Sequence, residues 1–316
     1  MKRYGGLWER VCSMENIEFA HRKAKRGKRR YTEVKMVDAD PVYYLGRIEA
    51  MLREKTFRNA PYEEVLRNDS GKERLIKKLP YFPDRIVQHC VANVVAPIWD
   101  RSFIRDTYAA IPGKGVHDGV RRMKKALVDV EGTRYCLKLD VRKYYESVDT
   151  GILSTIVRQK IKDPDVLWLL DEIIGSSEGI PIGNYLSQYF GNLYLSGIDH
   201  FAKEVLRCRY YFRYCDDVVV LGSSKENLHR IKTGLETELH TLKLRVKHTW
   251  QVFPVAARGI DFLGYRFFHG YTLVRKRIVR RFKGKVRRGD KACLAAYNGW
   301  FKHANTHNLR MQYERK

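Results

Sequence analysis

The sequence predicts a mixed α/β (α+β) fold organised around an antiparallel sheet, and three observations predict it. Residues 135–141, Tyr-Cys-Leu-Lys-Leu-Asp-Val, carry large apolar side chains at alternate positions, the period of a strand with one buried face. Arg209 to Gly222 reads as two β-rich runs joined by a polar tip at Cys215-Asp216, a hairpin pattern. Apolar stripes at helical spacing surround both, the longest being Leu228, Ile231, Leu235, Leu239 and Leu242.

Taken in order, the chain opens with a segment ending in a basic run, His21 to Arg30, too charged for a core and suited to lie on phosphates. Val42, Leu45, Ile48, Met51 and Leu52 mark a packed helix between Asp38 and Phe57. A Ser-Gly turn then separates two short extended runs, Asn68–Ile76 and Leu79–His89, giving a hairpin that carries Lys72 and Arg74. Ile86, Val87, Val91, Val94 and Val95 trace a buried helix ending near Pro97, and a loop from Tyr108 to His117 leads into a basic helix over 118–130. Asp149 caps one helix and Asp163-Pro164 starts the next. A glycine-bounded segment, Gly179 to Gly191, opens another. Ser223 and Glu226 match a Ser-x-x-Glu capping box for the long helix that follows. Arg275 to Lys291 holds ten basic residues and one acid.

Composition limits the partners. The 61 Lys and Arg against 36 Asp and Glu give a formal charge of +25, which calls for a polyanion. Nucleic acid fits best, since 20 Tyr, 13 Phe and 5 Trp are available for stacking. Six scattered cysteines form no zinc-ligand spacing and read as reduced thiols. No apolar run approaches the ~18 residues of a membrane span, so no membrane partner and a cytoplasmic location are expected.

A strand-end aspartate, Asp140, followed later by the doublet Asp216-Asp217 on a hairpin tip is what two-metal phosphoryl transfer requires. Carboxylates are hard oxygen ligands suited to Mg²⁺. Two ions about 3.5 to 4 Å apart lower the pKa of an attacking hydroxyl and stabilise a leaving pyrophosphate.

At this point the chain resembles the reverse transcriptase family, in ordered motifs over residues 60 to 268. Tyr214-Cys-Asp-Asp217 matches its Tyr-x-Asp-Asp box, Leu139-Asp140-x-x-x-Tyr-Tyr145 its first aspartate motif, and Phe262-Leu263-Gly264-Tyr265 its primer grip. Lys72-Glu-Arg-Leu-Ile76 and Asp84-Arg-Ile-Val-Gln88 resemble the fingers motifs of bacterial and group II intron enzymes. The resemblance implies a right-hand polymerase divided into a basic N-terminal extension (1–59), fingers with part of the palm (60–134), a catalytic palm (135–268) and a short basic helical thumb (269–316). It implies two Mg²⁺ ions held by Asp140, Asp216 and Asp217 with the Val141 carbonyl. Lys72 and Arg74 would hold triphosphate oxygens of a deoxynucleotide, and Tyr145 would stand as the steric gate against a ribose 2′-hydroxyl. Lys243 or Lys247 would protonate pyrophosphate.

The segment Ile182-Gly183-Asn-Tyr-Leu-Ser187-Gln188 departs from the family's usual Gln-Gly-x-x-x-Ser-Pro and is similar to the subgroup of diversity-generating retroelements. That likeness implies error-prone cDNA made from a template-repeat RNA, with errors at adenines. Replacing Gln by Ile beside the incoming nucleotide removes a polar contact and adds a β-branched wall, so pairing geometry is held less tightly. About fifty residues follow Tyr265, too few for an integrase, RNase H or zinc-bearing endonuclease. The implied partners are the template RNA, the cDNA primer and an accessory variability protein, a basic helical-bundle oligomer. Arg275 to Lys291 and Trp300 would lie against the primer–template backbone. Two rivals stay open: a reverse transcriptase of a retron, abortive-infection system or group II intron remnant, and a non-catalytic RNA-binding assembly protein.

Overall fold

The computed structural model describes residues 2–69, 71–289 and 292–314. The chain divides into two compact units that interleave along the sequence. The four consecutive segments expected above follow chain order instead.

The first unit holds residues 1–103, 143–197 and 240–244. Its helices Trp8–Cys12, Met14–Ala24, Pro41–Arg53 and Ile86–Asp100 pack together, with Ile17, Leu45, Ile48, Leu52, Val87 and Val91 buried. The Asp38 to Phe57 stripe is buried only from Leu45 onward. Val42 is 85% exposed, in a first turn open to solvent. Helix Ile86–Asp100 runs through Pro97 and does not end there, because only one backbone donor is forgone while Ile98 and Trp99 gain burial beyond it.

The hairpin pairs β1 (Glu63–Asp69) with β2 (Lys72–Lys78), antiparallel from Glu63 opposite Lys78 to Asp69 opposite Lys72. This corrects the expected pairing. The first strand precedes the turn, and the run after Leu79 is a helical turn over Tyr81–Arg85. Opposite charges facing each other at Glu63/Lys78 and Glu64/Lys77 support a strand too polar to be read from apolar alternation. Helices Thr150–Arg158 and Pro164–Gly175 start as expected, with Asp149 accepting from the Ile152 amide and Asp163 from those of Asp165 and Val166.

The second unit holds residues 104–142, 198–239 and 245–316. Its central antiparallel sheet has the order β4 (Tyr210–Tyr214), β5 (Asp217–Gly222), β3 (Tyr135–Asp140), β6 (Gln251–Pro254). β3 is buried at Cys136 as well as at Leu137 and Leu139, so both faces are covered, more than the single buried face its alternation predicts. A second sheet joins β7 (Ile260–Phe262), β8 (Tyr265–Phe267) and β9 (Thr272–Val274) in order. One apolar cluster runs from Phe212, Val219 and Leu221 through Phe253, Phe262 and Phe267 to Phe282 and Phe301, uniting both sheets with the C-terminal helices.

The long helix Lys225–Thr241 buries Leu228, Ile231, Leu235 and Leu239 as expected. Its cap is one residue later than the Ser223/Glu226 pattern: Ser224 Oγ accepts from the Asn227 amide at 3.2 Å and donates to Glu226 at 2.6 Å. The basic tail forms helix Lys276–Arg287. Trp300, expected on the nucleic-acid backbone, instead packs its ring 5.4 Å from that of Tyr265 and covers Gly264, where the absence of a Cβ leaves a seat for the indole. No helix among the described residues is long and apolar enough to cross a membrane.

Candidate active site

The three aspartates come together in the second unit by strand register. Asp140 ends β3 directly opposite Asp217, which begins β5. Asp216 occupies the β4–β5 turn, and its carbonyl accepts from the Val141 amide at 3.4 Å. Cys215 has φ +53°, the left-handed region that a non-glycine residue enters only when its surroundings impose it. The end of β3 is also held from its other side. The Lys247 amide donates to the Asp140 carbonyl at 2.8 Å, the Arg142 amide donates to the Arg245 carbonyl at 2.8 Å, and Val141 bridges Val246.

The charges around this cluster are unbalanced. Lys247 Nζ lies 2.7 Å from Asp140, and Lys138 Nζ lies 3.4 Å from Asp217. Burial and the adjacent Asp140 charge push Asp216 up to about 7, and burial pushes Asp217 up to about 6 against the pull of Lys138. One oxygen each of Asp140 and Asp217 is buried without a hydrogen-bond donor. Crowded carboxylates with orphaned oxygens are short of positive charge, and this donor set fits a hard divalent cation. Among the described residues no three such side chains are gathered closely enough to cage an ion alone. That agrees with Mg²⁺ chemistry, in which one or two carboxylates are completed by waters and substrate phosphates. Lys243, the other candidate proton donor, is 2.6 Å from Asp149 in the first unit.

The residues expected to form a primer grip make the turn between β7 and β8, with Leu263 at φ +52° and Gly264 at φ +84°. Phe262 is buried, the Leu263 side chain fills the space that a Cβ on Gly119 would take, and the Gly264 carbonyl accepts from the Arg275 amide at 2.9 Å. Lys138 ties this region to the carboxylates, donating to the Asp261 carbonyl while it pairs with Asp217.

The residues expected to face the nucleotide lie in the first unit. Tyr145 follows the buried Tyr144 in a short helix, Tyr144–Ser147, and its ring stands near Gly191 of helix Ser187–Tyr194. Gly179, at φ +65°, packs so closely on the Tyr145 carbonyl that a Cβ would sit 2.6 Å from it. The Ile182 carbonyl accepts from the Lys77 amide at 3.0 Å, and a Cβ on Gly183, at φ +126°, would lie 2.8 Å from the Lys77 carbonyl. Main-chain approach to β2 therefore fixes Ile182-Gly183. Ser187 is buried, its hydroxyl donating to the Pro181 carbonyl at 2.6 Å, and Gln188 is exposed. Arg74 is exposed on β2 opposite Arg67. The Lys72 side chain lies outside the described residues.

Two further residues were not singled out as site residues from sequence. Gln88, 1% exposed, accepts from the amides of Tyr185 and Leu186 at 3.0 and 3.5 Å, while its own amide nitrogen is buried without an acceptor; the residue lines a cavity of about 750 Å³ together with Arg67, Ile76, Arg85 and Gly183. Arg213 lies fully buried under the catalytic turn. The signal for both was a polar side chain on an otherwise apolar stripe or strand.

Comparison with known proteins gives this geometry a family. A model described as reverse transcriptase (RNA-dependent DNA polymerase) matches residues 65–267. Protein YkfC of Escherichia coli is 26% identical over 245 residues, covering 63% of each chain. The group II intron-encoded protein LtrA of Lactococcus lactis is 22% identical over 167 residues, covering 49% of this chain and 27% of its own. The chain thus spans less than two thirds of the length of these relatives. Apo telomerase from Candida tropicalis, truncated from its C-terminal domain, superposes with a TM-score of 0.50 at 12% identity, over 74% of this chain and 58% of its own. That likeness concerns the fold, a right-hand polymerase of mixed α/β structure. The chain belongs to the reverse transcriptase family.

Proposed function

We propose that this protein is an RNA-templated DNA polymerase that makes error-prone, adenine-mutagenic cDNA from a template-repeat RNA. The observation that carries the polymerase reading is the register of Asp140 against Asp217 with Asp216 in the turn, a cluster in which burial raises the pKa of Asp216 and Asp217 and one oxygen each of Asp140 and Asp217 is orphaned, so that it calls for divalent cations. Two Mg²⁺ ions, when bound there and by the Val141 carbonyl, supply activation of the primer 3′-hydroxyl and charge stabilisation of the leaving pyrophosphate. Asp140 and Asp216 would hold them, with Asp217 in support. Lys247, beside Asp140, donates a proton to pyrophosphate. Lys72 and Arg74 hold the triphosphate, Tyr145 excludes the 2′-hydroxyl, and Phe262, Leu263 and Gly264 support the primer terminus. Ser187 and Gln188 close the loop that presents Ile182 and Gly183 to the base pair.

The diversifying reading rests on Ile182 to Gln188. A loop fixed by main chain and by Gln88, with an aliphatic side chain where the family usually has an amide, holds a template base by shape and offers it no polar check. Segments 1–59, 60–134, 135–268 and 269–316 serve as extension, fingers, palm and thumb. The accessory variability protein and template RNA complete the assembly. A second reading, an intron-type enzyme, is favoured by the identity to LtrA. Sequencing cDNA made on an RNA containing all four bases separates the two: the first expects errors concentrated at template adenines, and uniform fidelity would argue against the first.

A further inference from the structure

The carboxylate turn stands on a buried ion pair, Arg213 with Asp199, that lies outside the motifs quoted above. Arg213 and Asp199 are both 0% exposed. Arg213 Nε and Nη2 donate to the two Asp199 oxygens at 2.7 and 2.6 Å, a bidentate fork. Tyr211 donates its hydroxyl to Asp199 Oδ1 at 2.7 Å and Thr107 to Oδ2 at 2.9 Å. Burial and the Asp199 charge raise the Tyr211 pKa well above its ordinary value, so the phenol keeps the proton that it donates. An ionised carboxylate has about four acceptor sites, and the structure fills them. The same guanidinium has a third direction: Nη1 donates to the Cys215 carbonyl at 3.0 Å. Arg213's backbone is clamped as well, its amide donating to the Asp106 carbonyl at 2.9 Å and its carbonyl accepting from the Tyr108 amide at 3.0 Å.

The Cys215 carbonyl belongs to the peptide that carries Asp216, and Cys215 itself is held in the left-handed region. We infer that the Arg213–Asp199 pair is a positioning device for Asp216, locking the Cys215–Asp216 peptide so that this carboxylate stays beside Asp140 despite their mutual repulsion. The device needs arginine, whose rigid planar fork grips a carboxylate and still presents another N–H, whereas lysine offers a point charge. Val141 completes the arrangement by donating to the next carbonyl, that of Asp216, at 3.4 Å.

The inference rests on Asp216 as a metal ligand, and its test separates the two. Single variants Arg213→Met and Asp199→Leu leave a buried charge unpaired and melt lower. The double variant Asp199→Leu/Arg213→Met replaces the pair by apolar groups of similar volume, which buried ion pairs often tolerate. It is expected to melt below the parent, since the Tyr211 and Thr107 hydroxyls lose their acceptor, but above either single variant, and to bind primer–template with unchanged affinity. Its kcat falls on the order of 10²-fold, the loss typical of a reacting group displaced by about 1 Å. Mn²⁺ titration followed by electron paramagnetic resonance shows weaker metal binding, and a crystal structure shows the Cys215–Asp216 peptide rotated. A double variant with the peptide in place and metal binding and kcat unchanged would overturn the inference. If the parent binds no metal and makes no DNA, the polymerase reading fails, while the orientation of that peptide still decides for or against the device.

Discussion

The carboxylate turn of the second unit and the Ile182–Gln188 loop of the first are held by opposite means. At the turn the Cys215, Asp216 and Asp140 carbonyls all have donors while the side chains are left frustrated, with orphaned oxygens on Asp140 and Asp217 and raised pKa values on Asp216 and Asp217. At the loop the side chains matter less than the main chain, which is pinned by Lys77 and by the Gln88 amide. A site that performs chemistry stores unmet demand for charge. A site that selects among similar substrates is defined by shape, and its constraints are met within the protein itself.

Substitutions should therefore stop one region and retune the other. The largest effect is expected from Asp140→Asn, which leaves the register with Asp217 intact and lowers primer extension at least about 10³-fold, a loss of about 4 kcal/mol of transition-state stabilisation, read in single-nucleotide assays. Gln88→Ala strips the acceptor from two buried amides at a cost of about 1–3 kcal/mol for each group left unsatisfied. It should lower the melting midpoint and change the misincorporation spectrum, while kcat for the correct nucleotide falls less than it does in Asp140→Asn. Tyr145→Val should admit ribonucleotides with about a 10-fold gain in kcat/KM, the order of discrimination that a single steric contact supplies, measured by competing dCTP against CTP. Ile182→Gln should lower adenine errors a few-fold with little change in rate, read by sequencing.

The smallest effect is on stability. Asp216 and Asp217 ionise less readily in the folded chain than in the unfolded one, so the metal-free protein loses stability as pH rises from about 4 through about 7. Melting in EDTA should show that fall, Mg²⁺ should oppose it, and Asp217→Asn should flatten it, raising the midpoint at pH 8 by roughly 1–2 °C, what about 1 kcal/mol gives in a chain this size.

Much of this was legible in the sequence. Alternation from Tyr135 to Val141 and the aromatic and β-branched runs flanking Cys215 placed all three aspartates, because local period and register fix where a strand's residues point. The Asp149 and Asp163 caps were equally local. What escaped depended on distant partners. β1 is polar and finds its partners only across the turn, where Lys77 and Lys78 oppose its glutamates and Ile76 opposes Val65. Trp300 packs half-buried against the core where Gly264 makes room for it. Gln88 and Arg213 look like isolated polar residues until residues 97 positions away and 14 positions back supply their partners.

The most direct test is a Mg²⁺ titration of single-nucleotide DNA synthesis on an RNA template, comparing the parent with Asp216→Asn. The account predicts Mg²⁺-dependent extension by the parent and its abolition in the variant with RNA binding nearly intact; extension retained by the variant would contradict it.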